Sequence, residues 1–305
     1  MQTIFLVGPT AVGKSAVALE LAERLGAEIV SADSMQVYRG LDIGTAKPTP
    51  AERARVRHHL IDVCDVGELF DAKRFVELAQ AAIANCKTAL VVGGTGMYVR
   101  ALRQGLFDGP PRNTALRTRL ETMSTAELSA ELERLDPQTA ARIDRQNPRR
   151  LVRAIEVFHT TGKPISKLQT QWSIANNQSP IFGLQRERKD LVTRIERRID
   201  EQIAAGWLDE ARLLLARQPV GCCVTAITQH PTAWQAAGYR ELAAHLRGEL
   251  TLAEAVTLTK ARTRQLAKRQ MTWFRREPGV RWIAVTADEP PATTAQRILE
   301  ELKTS

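Results

Sequence analysis

No run in this sequence approaches the roughly 18 consecutive apolar residues of a membrane span, and the apolar start at residues 4–7 is interrupted by Gly8 and Lys14. A membrane-crossing helix and a secretory leader are therefore not expected, and a cytoplasmic protein is. Cysteine is scarce: Cys64, Cys86, Cys222 and Cys223 show no C-x-x-C spacing and no companion histidine pattern. Free or buried thiols in a reducing compartment follow, and no zinc site is expected. Internal repeats and low-complexity tracts are missing too. Between Lys260 and Arg276 there is no acidic residue at all, against seven basic ones.

What is present is a globular composition, 44% hydrophobic and 25% charged over 305 residues, enough for one large domain or a domain with an insertion. The net charge of +9 is unevenly placed. Residues 1–110 hold 12 basic and 12 acidic side chains, so residues 111–305 carry the whole excess. Such a half fits a polyanion larger than a nucleotide, with a solvated basic surface as the plainer alternative.

The chain is organised around Gly8, Pro9, Thr10, Ala11, Val12, Gly13, Lys14 and Ser15, which read G-x-x-x-x-G-K-[ST]. A short apolar run precedes this stretch, and a helical pattern ending at Gly26 follows it. That context predicts a P-loop, in which backbone amides and a helix N-terminus surround a diphosphate. Lys14 would neutralise the outer phosphate and the Ser15 hydroxyl would hold Mg²⁺. A second strand ends at Asp33, placing that carboxylate at the sheet edge that carries the loop. Spacing alone leaves it as a Mg²⁺ partner, a general base or a helix cap. His58 and His59 read as structural, because no third ligand stands at suitable spacing.

Strand and helix alternate up to the buried run at 88–92 and Gly93-Gly94-Thr95, which indicates an α/β fold with a parallel sheet flanked by helices. At Gly109-Pro110-Pro111 the character changes. Helical patterns at 116–123, 125–135, 138–143 and 151–161 predict an inserted all-helical domain over 112–187, with 1–111 and 188–305 forming the core. The polar segment 171–179 reads as loop, and 181–184 as a strand returning to the sheet. Residues 191–216 read as one long amphipathic helix, with Arg194 and Arg198 sharing a face that by itself suggests only solvation.

Several stretches together resemble one family. They are Gly8 to Ser15, Asp33-Ser34-Met35-Gln36-Val37-Tyr38, Gly40 to Lys47, His59-Leu60-Ile61-Asp62, Gly93-Gly94-Thr95, Arg149-Arg150-Leu151-Val152-Arg153-Ala154-Ile155-Glu156, Gly238-Tyr239-Arg240, and Thr263 through Phe274. In this order the chain resembles the tRNA dimethylallyltransferases, also called tRNA isopentenyltransferases. The resemblance implies a P-loop NTPase-like core whose loop takes dimethylallyl diphosphate rather than ATP. It implies transfer of the dimethylallyl group to the exocyclic amine of the adenine 3′-adjacent to the anticodon of tRNA.

By the same resemblance Asp33 is the base, Thr10 contacts the bridging oxygen, and Arg198 is the diphosphate arginine with Arg194 one turn behind. The tRNA contacts fall on Asp33, Ser34, Met35, Gln36, Thr95, Arg117, Arg149, Arg150, Leu151, Val152, Arg153, Gln235, Gly238, Tyr239, Arg240, Lys268, Arg269, Gln270, Trp273 and Arg275. Tyr239 and Trp273 are open as base-stacking surfaces or as core. Gln235 stands where many bacterial members carry Arg, which loses a charge at that contact. No zinc finger of the eukaryotic kind follows the last strand, so the bacterial form is expected, acting as a monomer on the anticodon stem-loop. The rivals are a P-loop small-molecule kinase or NTPase, an isopentenyltransferase of free adenine nucleotides, and a non-catalytic RNA-binding protein. The basic half argues against the first two, and intact Lys14, Ser15 and Asp33 against the third.

Overall fold

Ile4, Phe5, Leu6 and Val7 are all buried in the strand β1 (Gln2–Val7), which therefore has protein on both faces. Ile4 and Leu6 belong to one apolar cluster and Phe5 and Val7 to another, as the two-residue period of a strand requires. The same division runs through the neighbouring strands, so the sheet separates two core layers. Each fully buried Leu, Ile or Phe of this kind stabilises the fold by about 1.5–3 kcal/mol.

The computed structural model describes residues 2–106, 109–168, 179–216 and 232–303, without the side chains of Thr232 and Gln235. Most of the expected loop at 171–179, the Cys222–Cys223 pair and the Gln235 side chain lie outside the described residues. The described residues group into two units: 2–103, 179–216 and 232–303 in one, and 104–106 with 109–168 in the other.

In the first unit β1 leads through the loop into α1 (Lys14–Leu25), which Gly26 ends in a left-handed conformation. Then follow β2 (Glu28–Ser31), α2 (Pro50–Arg55), β3 (His58–His59), α3 (Ala72–Ala84), β4 (Thr88–Gly93) and α4 (Gly96–Gln104). Thr49 and Glu52 form a reciprocal capping box at the start of α2, with Pro50 in its first turn. After the second unit the chain returns with β5 (Ile181–Gln185), and the sheet is parallel throughout in the order β3-β2-β4-β1-β5-β6, where β6 is Val280–Ala284. Because β5 is a strand of this sheet, the helical insertion stops short of the expected limit at 187.

The second unit holds α5 (Thr114–Glu121), α6 (Thr125–Leu135), α7 (Pro137–Ala140), α8 (Pro148–Thr161) and α9 (Ile165–Leu168) around its own apolar cluster. Its buried Glu156 accepts from Arg117, Arg153 and the Asn113 amide.

The long helix expected over 191–216 is two helices, α10 (Arg188–Ala204) and α11 (Trp207–Ala216), because Gly206 takes φ +97° between them. The remainder is a 3-10 turn at Thr232–Gln235, then α12 (Tyr239–Leu246), α13 (Leu252–Arg275), β6 and α14 (Pro291–Lys303). Among the described residues no helix is long and apolar enough to cross a membrane.

Candidate active site

The loop after β1 lies at the carboxyl edge of a parallel sheet, where functional groups collect. Gly8 has φ +147°, and a Cβ there would stand 2.7 Å from the Leu184 carbonyl oxygen of β5. Only glycine brings the loop this close to the neighbouring strand. Two successive carbonyls of the loop are held from outside by arginines. The Arg194 Nε–H donates to Ala11 O at 2.9 Å, and the Arg186 Nε–H donates to Val12 O at 2.9 Å. Arg198 Nη1 lies 3.4 Å from Thr10 Oγ1. With these carbonyls engaged, the amides that open α1 have no intrahelical acceptors and form an anion-binding end.

Lys14 folds back to donate to Gly8 O at 2.9 Å and Pro9 O at 2.7 Å. Loss of hydration pushes its ammonium down to about 7, against the opposing pull of the Asp33 carboxylate and with a further push from Arg198. The Arg198 guanidinium is lowered by burial as well, again opposed by Asp33. Asp33 is thus the counter-charge to both cations. Its Oδ1 accepts from the Met35 amide at 2.8 Å and the Gln36 amide at 3.4 Å, which fixes the carboxylate just beyond β2. Thr95 braces the same corner: its Oγ1 accepts from the Ser34 amide at 3.1 Å.

Thr10, Lys14, Ser15, Asp33, Arg194 and Arg198 line a single cavity of about 820 Å³. That size suits a small ligand with part of a second one. Ser15, the second residue of α1, is exposed towards it.

The opposite wall is built by the segment around residues 41–47. Gln36 Nε2 donates to Thr45 O and Ala46 O at 3.2 and 3.3 Å. Lys47, with a side chain 2% exposed, donates to Tyr38 O, Asp42 and Asp62, each at 2.6 Å. The Glu210 carboxylate accepts from the amides of Asp42, Ile43 and Gly44 and from the Tyr239 hydroxyl. Tyr239 therefore belongs to the core. It is 1% exposed, packs edge-on against Trp207 at 5.5 Å, and its hydroxyl is pushed up by burial and by Glu210. It offers no face to a base. Gly238, at φ +98°, lies so near the Trp207 ring that a Cβ would come within 2.0 Å of it.

Other expected RNA contacts are placed differently as well. Leu151 and Val152 are buried in the core of the second unit and cannot touch a nucleic acid. Arg117 and Arg153 of that unit are engaged by Glu156, while Arg149 and Arg150 are exposed. Gln270 turns inward: its Oε1 accepts from the Thr10 amide at 2.8 Å and its Nε2 donates to Gly94 O at 3.1 Å. Trp273 is half-buried beside Gly96, with the Arg100 guanidinium 4.7 Å above its ring. Met35 is half-buried and Arg240 exposed.

The basic run along α13 and its C-cap Arg276 divides in two. Lys260, Arg262 and Arg264 pair with Asp200, Glu241 and Glu196, whereas Lys268, Arg269, Arg275 and Arg276 are exposed. Arg186 and Glu210 escaped the sequence reading. Arg186 stands just past β5, and the expected strand at 181–184 was the available signal for it. Nothing in the sequence marks Glu210, whose main-chain partners at Asp42, Ile43 and Gly44 lie more than 160 residues away.

The sequence profile of a family described as IPP transferase matches residues 36–277. A tRNA dimethylallyltransferase 1 from Citrifermentans bemidjiense is 45% identical over 289 residues, 93% of this chain and 92% of its own length. Among solved structures, the full-length tRNA isopentenylpyrophosphate transferase from Bacillus halodurans is similar with a TM-score of 0.71 at 36% identity, over 99% of this chain and 97% of that one. A eukaryotic dimethylallyltransferase acting on tRNA has a TM-score of 0.82 at 25% identity, over 100% of this chain and 80% of the other.

Proposed function

The chain belongs to the IPP transferase family, and we propose that it transfers a dimethylallyl group from dimethylallyl diphosphate to the N6 amine of the adenosine 3′-adjacent to the anticodon in tRNA, releasing diphosphate. The observation that carries this reading is the convergence of Asp33 with Lys14 and Arg198 on one cavity. A carboxylate and two cations line the same cavity, which is the pairing that a base and a diphosphate leaving group require.

An adenine amine is a poor nucleophile, because its lone pair is delocalised into the ring. As the N6–C1 bond forms and the C1–O bond breaks, N6 loses a proton. Asp33 Oδ1 is committed to two amides, which leaves Oδ2 to take that proton. The electron pair of the broken bond goes to the diphosphate. Amides at the start of α1, the Lys14 ammonium, the Arg198 guanidinium and the Thr10 hydroxyl stabilise that charge. Arg194 serves by holding the Ala11 carbonyl away from it. Ser15 Oγ, a hard oxygen donor exposed on the cavity that Asp33 also lines, suits Mg²⁺, which when bound would neutralise part of the diphosphate charge.

The target adenine must leave the stacked anticodon loop to reach this cavity. Exposed Lys268, Arg269 and Arg275 on α13 supply phosphate contacts for the tRNA, and in the second unit Arg149 and Arg150 on α8 are exposed basic groups of the same chemistry. The protein acts in the cytoplasm, where its tRNA substrate is found. Incubation with dimethylallyl diphosphate and unmodified tRNA, followed by nucleoside mass spectrometry, is expected to give N6-isopentenyladenosine. Prenylation of AMP at the rate seen with tRNA, or ATP hydrolysis independent of RNA, would overturn the assignment.

A further inference from the structure

Glu28, His59 and Cys86 come from three separate elements: the first residue of β2, the last of β3, and the link between α3 and β4. They meet near the amino ends of β2 and β4, on the side of the sheet away from the phosphate loop. His59 Nε2 lies 2.6 Å from Glu28 Oε2 and 3.8 Å from Cys86 Sγ. The three potential ligand atoms all fall within 4.8 Å of one another.

For a tetrahedral zinc ion with Zn–N near 2.05 Å and Zn–S near 2.3 Å, nitrogen and sulfur ligands stand about 3.6 Å apart. The observed nitrogen–sulfur distance of 3.8 Å matches this within a few tenths of an ångström. The nitrogen–oxygen distance, 2.6 Å, needs to open by roughly 0.7–0.9 Å, which a turn of the partly exposed Glu28 carboxylate supplies. Thiolate, imidazole and carboxylate together form a donor set that prefers Zn²⁺ to Mg²⁺ or Ca²⁺. Among the described residues the cation Arg57 faces the cluster: its Nε is 3.7 Å from Glu28 Oε2, but that side chain is 74% exposed and can swing into solvent.

We propose that Glu28 Oε2, His59 Nε2 and Cys86 Sγ bind one Zn²⁺ ion, with water as the fourth ligand. The ion ties the two-residue edge strand β3 and the end of α3 to β2. As the Zn–S bond forms, the Cys86 thiol proton passes to solvent, and no electron is transferred. Burial and the neighbouring Glu28 carboxylate push the free thiol up, so without a metal it is the neutral S–H, donating to Ala82 O at 3.1 Å. The site is independent of the transfer reaction, and its failure would leave the active-site reading untouched.

The test uses the full chain and Co²⁺ as the probe, in excess Mg²⁺ to occupy hard-oxygen sites. Wild type is expected to show a saturable thiolate-to-Co²⁺ charge-transfer band at one ion per chain, displaced by Zn²⁺. A Cys222→Ser/Cys223→Ser variant should keep the band, and Cys86→Ser should lose it. Glu28→Gln, a second variant in case Cys86→Ser fails to fold, should bind Co²⁺ about tenfold more weakly or worse. Zn²⁺ should raise the Tm of wild type but not of Cys86→Ser. The proposal is overturned if no band appears, if it survives Cys86→Ser, if it disappears in the Cys222→Ser/Cys223→Ser variant, or if Glu28→Gln binds as tightly as wild type. The three residues are then a hydrogen-bonded cluster only.

Discussion

The main-chain N–H of Thr10 donates to the side-chain oxygen of Gln270 at 2.8 Å, joining the phosphate loop to the helix that carries the exposed basic residues. Gln270 thus positions the Gly8–Ser15 loop from within the protein. Gln270→Ala leaves the Thr10 amide without its acceptor at a cost of about 1–2 kcal/mol, which corresponds to roughly a five- to thirtyfold change. Steady-state kinetics should show the loss in KM for dimethylallyl diphosphate, with tRNA affinity little changed. The reverse pattern would return Gln270 to the RNA interface.

Asp33→Asn keeps the shape of the carboxylate and removes its basicity. Single-turnover transfer should slow by about 10²–10⁴-fold while tRNA binding in filter or anisotropy assays is retained. Near-normal turnover would end the general-base role.

Lys14 links diphosphate binding to pH. Its ammonium titrates near 7 in the free protein, and a bound diphosphate anion favours the charged form and raises that value. Below 7 the amine is already protonated and affinity is greatest. Above 7 binding must take up a proton, so affinity falls by about tenfold per pH unit until the pKa of the complex is passed. Calorimetry across pH 6 to 9 reads this directly. Lys14→Met should weaken binding and flatten the profile, and a slope that persists in this variant would assign the proton elsewhere.

Removing charge at Lys268 and Arg269 should weaken tRNA binding and lower its salt slope by about one unit per residue. Arg264→Gln should do less, because Glu196 already engages that guanidinium at 2.6 Å. Equal effects at the three positions would show that the ion pairs on α13 open when RNA binds.

In the second unit, Glu156→Ala leaves Arg117 and Arg153 without their shared carboxylate and should destabilise the protein by about 3–5 kcal/mol in denaturant melts. Burial alone would raise the Glu156 pKa, but hydrogen bonds from Arg117, Arg153 and Asn113 outweigh it and lower the value. Its contribution is therefore complete above the unfolded carboxyl pKa of about 4.3 and is lost as pH falls through the lower folded value. A variant as stable as wild type would refute the buried-charge account.

Much of the architecture was legible in the residues. The β1–loop–α1 unit declares itself through an apolar run, two spaced glycines and a periodic helix, and those signals are local. Gly206 breaks an apparently continuous helix, and no local pattern shows the break because the periodicity over 191–216 persists across it. Tyr239 was open between core and interface, since an aromatic side chain looks the same in either place; Trp207 and Glu210, brought up by distant segments, put it in the core. Leu151 and Val152 sit within a motif beside Arg149, Arg150 and Arg153, and only the helix turn separates the apolar from the charged positions.

By itself, the sequence determined that Gly8 to Ser15 form a loop between a strand end and a helix, with Asp33 on the same edge, because two-residue and 3.6-residue periods fix where short segments place their side chains. It determined equally that the positive charge belongs to the later part of the chain. The tertiary structure decided which charges remain available. Arg186 and Arg194 are turned to loop carbonyls, Lys47 and Glu210 are spent inside the wall of the cavity, and Lys268 and Arg269 are left to solvent. It also brought Glu28, His59 and Cys86 together across 27 to 31 residues of intervening chain. Pairings at such separations depend on strand order and helix packing, which no local pattern records.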